Sequence, residues 1–271
     1  MEDNLPLIPN YHVGRVLSDT GGFAIVYWGF DLRTGRAVAI KQPRRANPAM
    51  LSALEQEAEM YLYLSQNNKH ITKLKDFIKL QGQDYLVMEY VEGTTLDVYQ
   101  KKRGGYLPDE EAIPLFLQIL DGVGYIHRNH IVHKDIKPGN IMVRNDMVIK
   151  LLDMGISAKL KDVDNNPRAV GTPAFMPPEQ FKREPCGPYT DIFALGVTLF
   201  SVLTGRLPFS GRTTTDIWNQ IQAGAIPEAH DVNPHVNPRF QPILNKALQP
   251  EPWERYQTCE EMAKAIKAIH I

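Results

Sequence analysis

The change of pattern at "VEG", positions 91–93, constrains this chain more than any other feature. Before it, β-branched and aromatic runs dominate. "YHVGRVL" and "FAIVYWGF" flank a polar turn, "RAVAIKQ" follows the turn "DLRTG", and "DYLVMEY" comes later, so three antiparallel strands and a further strand are predicted. One helical stretch interrupts them. Residues 48–66 open on Pro48 and carry Leu51, Leu54, Ala58, Tyr61, Leu62 and Leu64 near helical spacing, a face to pack on the sheet. After "VEG" the candidates are helical, at 110–129, 190–205, 213–224 and 259–270, bounded by Gly, Pro, Asn or Asp. The predicted fold class is therefore α+β and bilobal: a small antiparallel β-sheet lobe with one long helix, then a larger, mainly helical lobe. Glycine at 93 permits a hinge between them.

Composition narrows the function classes. With 43% hydrophobic and 23% charged residues, the 271-residue chain is a folded globular protein with material for about two cores. Thirty basic residues against thirty-one acidic ones leave no basic field for nucleic acid or an anionic membrane, so neither partner is expected. Cys186 and Cys259 lie far apart with no Cys-x-x-Cys spacing, which supports neither a disulfide framework nor a zinc site and fits a reducing, cytoplasmic setting. The opening "MEDNLPLIPN" lacks the basic and apolar regions of a secretory leader. The apolar run "IFALGVTLFSVL" stops at twelve residues, short of the roughly eighteen that span a bilayer, so no membrane contact is expected within this chain.

Certain polar residues stand where chemistry would need them. Lys41 ends the apolar strand "VAIK"; it is either a solvated strand-edge lysine or is held by Glu57, inside the long helix, with its ammonium aimed at an anion. In "HIVHKDIKPGN", Pro138 and Gly139 stop any helix and present Asp135 and Asn140 on a turn, for chemistry or merely for local backbone hydrogen bonds. "VIKLLDMG" then delivers Asp153 at the end of a strand. The oxygens of Asn140 and Asp153 are the hard ligands that Mg²⁺ prefers.

"VAIK", "HKDIKPGN", "DMG", "GTPAFMPPE", "DIFALG" and the "RY" at 255–256 occur in one order with coherent separations. In these motifs the chain resembles eukaryotic-type protein kinase catalytic domains, above all those of bacterial serine/threonine kinases, over about residues 11–269. The resemblance implies an N-terminal extension at 1–10, a kinase small lobe at 11–91 and a large lobe at 92–271. It implies transfer of the γ-phosphate of ATP, with Mg²⁺, to a serine or threonine hydroxyl of a protein substrate. By the same resemblance Lys41, paired to Glu57, would hold the α and β phosphates, Asn140 and Asp153 would bind magnesium, and Asp135 would accept the hydroxyl proton. Lys137 would offset charge at the γ-phosphate. Leu17, Gly21, Gly22, Val26, Ala39, Met88, Glu89, Val91 and Met142 would surround the nucleotide, simple core packing being the alternative for the apolar ones. Thr172 would dock substrate and tether to the catalytic aspartate; Glu179 with Arg255, and Asp191, would be structural.

Three departures qualify the pattern. The phosphate-covering loop "DTGGFAIV" puts Asp19, Gly21 and Ala24 where three glycines are usual, and an anion at Asp19 predicts a raised KM for ATP unless it turns away. Met154 replaces a phenylalanine with a softer apolar side chain. Lys134 replaces the arginine that often receives an activation-loop phosphate, and residues 158–171 contain no Ser, Thr or Tyr. Asp162 or Asp164, facing Lys134, Lys159 or Lys161, would supply a permanent charge instead. Activity independent of loop phosphorylation is thus expected, with control from a regulatory domain or partner outside this chain. A pseudokinase, binding nucleotide or scaffolding without transfer, is the alternative that Asp19, Ala24 and Met154 favour; the presence together of Lys41, Glu57, Asp135, Asn140 and Asp153 opposes it. A small-molecule phosphotransferase of related fold would generally lack "GTPAFMPPE" and "ERYQTCEEM".

Overall fold

The computed structural model describes residues 5–19, 24–64, 67–80, 82–155, 157–159 and 172–269. They fall into two compact units, Met1–Glu92 and Gly93–Ile271.

The first unit is a five-stranded antiparallel sheet of order β1-β2-β3-β5-β4. Its strands are β1 (Tyr11–Ser18), β2 (Ala24–Asp31), β3 (Arg36–Pro43), β4 (Leu74–Leu80) and β5 (Gln83–Glu89). Side chains alternate across the pleat, so Val38 and Ile40 enter a core with Ile8, Tyr11, Val13, Tyr27, Tyr85 and Val87, while Ala39 and Lys41 face the other way. Each such burial contributes about 1.5–3 kcal/mol. At the margin the Tyr11 hydroxyl donates to Asp76 Oδ2 at 2.9 Å, joining β1 to the edge strand β4. Burial first, then the bond and charge of Asp76, push the Tyr11 pKa up to about 12, so the phenol remains a donor.

β4 has no clean sequence signature. "LKDFIKL" has no fully buried residue, and the charged Asp76 is partly buried like its neighbours Phe77 and Ile78, so apolar and charged residues do not alternate as they do in β3. The helix α1 (Pro48–Leu64) buries Leu54, Glu57, Ala58, Tyr61 and Leu64, a stripe at helical spacing that contains a carboxylate. Leu62 departs from the expected face: it is 60% exposed, being turned about 100° from buried Tyr61 by the helical repeat.

The second unit contains β6 (Gly93–Thr95), β7 (Ile131–Val132), β8 (Ile141–Arg144), β9 (Ile149–Leu151) and β10 (Ala158–Lys159) in two small sheets, β6-β8-β9 and β10-β7. Its helices are α2 (Leu96–Lys102), α3 (Asp109–Arg128), α4 (Pro178–Lys182), α5 (Pro188–Thr204), α6 (Thr214–Ala223), α7 (Ala229–Val232), α8 (Gln241–Ala247) and α9 (Cys259–Lys267). The four long ones coincide with the periodic stretches of the sequence; α2, α4, α7 and α8 are too short to show a period. The apolar run at 192–203 is the central helix α5, buried on nearly every side. Among the described residues no helix is long and apolar enough to cross a membrane. Gly196 lets α5 approach α8, since a Cβ there would come within 2.9 Å of Ala247 and Leu248 side-chain carbons. Gly93 serves a similar end: a Cβ there would collide with the Val143 carbonyl of β8.

Arg255 locks α4 to the start of α5. It is 2% exposed, and each of its five N–H donors has an acceptor. Nη1 and Nη2 clasp Glu179 at 2.8 and 2.9 Å, while Tyr189, Pro250 and Gln249 carbonyls take the remaining three. Thr190 donates to the same carboxylate at 3.0 Å.

Candidate active site

In the small unit the antiparallel register puts Val26 opposite Lys41, and Ala39 opposite both Trp28 and Met88. Residues directly opposed share a face, so Val26, Ala39, Lys41 and Met88 line the side of the sheet turned from its core. Lys41 Nζ donates to both carboxylate oxygens of Glu57, at 2.8 and 2.7 Å, with both side chains largely buried. Leu17 lies at the irregularity of β1 between Val16 and Ser18 and is partly exposed. The Glu89 amide is bonded to the Lys73 carbonyl at 2.9 Å, whereas the Val91 backbone makes no hydrogen bond among the described residues. Gly21 and Gly22 lie outside the described residues. Asp19 is described, and its carboxylate and carbonyl both accept from the Arg44 guanidinium, a partner on the chain just after β3 that the sequence reading did not identify. The Asp19 carboxylate, 56% exposed, is thus paired with an arginine rather than standing as a lone anion.

In the large unit the loop after β7 is held from beneath by one carboxylate. Asp191, fully buried in α5, accepts the His133 and Lys134 amides, each at 2.8 Å, and bonds His127 Nε2 at 2.8 Å. Burial, the largest single influence, raises its pKa, but the bond and charge of His127, with His133 and its amide, together hold it below the usual carboxylate range. This grip also stabilises the left-handed backbone of Lys134, at φ 68°, which costs a non-glycine residue about 1–2 kcal/mol. His127 carries no sequence signal of its role: a histidine in the last turn of a helix is commonplace.

That loop converges on Asp135. Its Oδ2 accepts from Lys137 Nζ and from Asn140 Nδ2, both at 2.7 Å, leaving Oδ1 without a partner among the described residues. Asn140 Nδ2 also donates to the Asp135 carbonyl at 2.9 Å, which orients the amide and leaves its oxygen available as an acceptor. Lys137 reaches Thr172 Oγ1 at 2.8 Å, so Thr172 is tied to Asp135 through the lysine rather than by a direct bond. Asp153, also left-handed at φ 59°, accepts the Gly155 amide at 3.2 Å, and Met154 behind it is buried. Met142 alternates with buried Ile141 and Val143 on β8 and so turns away from their core. Among the described residues no group of three or more His, Cys, Asp or Glu could hold a metal. The donors that suit magnesium here are one amide oxygen and one carboxylate, both hard oxygens. Asp162, Asp164 and Lys161 lie outside the described residues, as does the Lys159 side chain.

The protein kinase domain model matches residues 11–266, and the chain belongs to the protein kinase family. It is 35% identical over 262 residues to the serine/threonine-protein kinase PrkC of Bacillus subtilis, covering 95% of this chain and 40% of that protein. Against the SNF1-related protein kinase catalytic subunit alpha KIN12 of Arabidopsis thaliana it is 32% identical over 257 residues, covering 94% and 50%. Against the serine/threonine-protein kinase PknB of Mycolicibacterium smegmatis it is 29% identical over 276 residues, covering 97% and 43%. The domain is thus of the serine/threonine kind, with the α+β kinase fold, and the chain spans about 40–50% of these relatives' length.

Proposed function

We propose that the chain is a catalytically competent protein kinase domain that transfers the γ-phosphate of ATP to serine or threonine hydroxyls of a protein substrate. The observation that carries this reading is Asp135: two donors fix one oxygen and the other is left free to accept a hydroxyl proton. Lys137, whose third N–H has no partner among the described residues, offsets charge on the transferring group. Lys41, held by Glu57, takes the α and β phosphates, and Leu17, Gly21, Gly22, Val26, Ala39, Met88, Glu89, Val91 and Met142 surround the rest of the nucleotide. Asn140 and Asp153 would hold Mg²⁺, which when bound supplies neutralisation of the phosphate charge. Thr172 docks substrate beside Lys137, while Asp191 and the Glu179–Arg255 pair hold the loop and its surroundings in place.

The kinase is of the lysine type at position 134 and works without an activation-loop phosphate. Asp191 already fixes the backbone of His133 and Lys134, and the Lys134 ammonium has no ion pair among the described residues. The residues at 158–171 offer no hydroxyl to modify. Regulation then comes from a domain or partner beyond this chain, and the reaction is placed in the cytoplasm, where ATP is supplied and the two free cysteines stay reduced.

The test is transfer of labelled γ-phosphate from Mg-ATP to casein and, in parallel, to a panel of small alcohols. Label on serine or threonine of the protein alone is expected. Label on an alcohol alone would mark a small-molecule phosphotransferase, and no transfer to either would mark a pseudokinase.

A further inference from the structure

A cavity of about 360 Å³ lies between α3 and α9 of the large unit, within the range of about 300–1,000 Å³ usual for small-molecule sites. Leu117, Leu120 and Asp121 line it from α3 and Cys259, Ala263 and Lys267 from α9, each set recurring at helical spacing. None of these residues has a part in the phosphate-transfer site. The floor is apolar, since Leu120 is 2% and Cys259 1% exposed. Burial, then the charges of Asp191 and Glu260, push the Cys259 thiol well above its ordinary pKa, so it stays neutral. Gly124 lets α9 lie close: a Cβ there would stand 3.2 Å from Cys259 Cβ.

That floor leads to the catalytic loop. Cys259 Sγ lies 3.7 Å from His127 Nδ1, and His127 Nε2 bonds Asp191 Oδ2, of the carboxylate that accepts the His133 and Lys134 amides. The rim is charged, with cations in excess: Arg128, Lys264 and Lys267 stand against Asp121 and Glu260. Arg128 and Glu260 satisfy each other in an ion pair. Lys264 and Lys267 are exposed and have no ion pair among the described residues. Their place in the last turn of α9 offsets the helix dipole, yet a helix end carries only about half a charge, so the two ammonium groups leave a surplus for an anion.

We infer that this cavity binds a small organic anion with an apolar body, a free carboxylic acid, and that the bound acid tightens the hold of Asp191 on the catalytic loop. The apolar body lies on Leu117, Leu120, Ala263 and the Cys259 thiol, and the carboxylate head accepts from Lys264 and Lys267. From Cys259 to Lys267 the helix rises about 12 Å, which sets the length of the ligand. A ligand seated on both helices must leave whenever α9 parts from α3. Its binding energy is therefore added to the stability of the closed arrangement, in which Cys259 rests on His127. Neither part depends on phosphate transfer.

The experiment is calorimetric titration with octanoate, octanol and octyltrimethylammonium, which share an apolar body and differ in charge. Octanoate should bind the wild-type chain about three- to tenfold more tightly than octanol, with the cation weakest. Lys264→Glu combined with Lys267→Glu should reverse that order, and Ala263→Phe, which fills the cavity, should abolish binding of all three. Equal affinities for the three compounds, no binding of octanoate, or octanoate binding unchanged in Ala263→Phe overturns the site. Binding to phosphatidylglycerol vesicles with none of octanoate would make this face a membrane contact and overturns it too. Hydrogen exchange reads the second part. With octanoate at about ten times its Kd, the His133 and Lys134 amides should exchange about tenfold more slowly in wild type and at an unchanged rate in Ala263→Phe. Unchanged exchange in wild type with octanoate bound overturns the link to the loop.

Discussion

Asp135→Asn is expected to lower kcat by about 10²–10⁴-fold, the usual contribution of a positioned general base, with little change in KM for ATP. Asparagine keeps the shape of the side chain and one acceptor for Lys137 or Asn140, so the loop should keep its form while losing the atom that takes the proton. Asp135 is only 13% exposed, so preservation of the fold must be shown by an unchanged thermal midpoint. A variant that retains wild-type turnover in the casein assay would remove Asp135 from the mechanism.

The second large effect falls on stability. Arg255→Ala should cost about 3–5 kcal/mol, because Glu179 would be left charged and buried with only Thr190 donating to it from a side chain. Arg255→Lys should recover little, since three flexible donors cannot match a fork that satisfies five acceptor positions. Replacing the pair together, as Arg255→Met with Glu179→Met, removes both charges and should cost less than Arg255→Ala alone. Urea midpoints of the three variants measure this. An Arg255→Ala chain within about 1 kcal/mol of wild type would show that the buried pair is incidental.

Much of this architecture is legible before any coordinates. Val38, Ala39, Ile40 and Lys41 alternate in the sequence as they alternate across β3, and the long helix announces itself by Pro48 and its apolar repeat. β4 escapes because an edge strand with no fully buried residue and a partly buried Asp76 among its apolar ones has no clean period to read. Asp135, Asn140 and Asp153 can be named from chemistry and turn residues, but their partners cannot. His127 and Arg44 are ordinary side chains until folding brings them to Asp191 and Asp19.

That Asp191 fixes the catalytic loop without help from a loop phosphate is tested most directly by stripping the protein. The domain is treated with a phosphatase, mass spectrometry establishes that Ser157 and Thr172 are bare, and initial rates of phosphate transfer from Mg-ATP to casein are compared before and after. Label on casein serine or threonine is expected at rates that agree within about twofold, since residues 158–171 hold no hydroxyl whose phosphate could be lost. A fall of about tenfold or more on stripping, equivalent to roughly 1.4 kcal/mol of lost transition-state stabilisation, would contradict it and assign the switch to a phosphorylated residue.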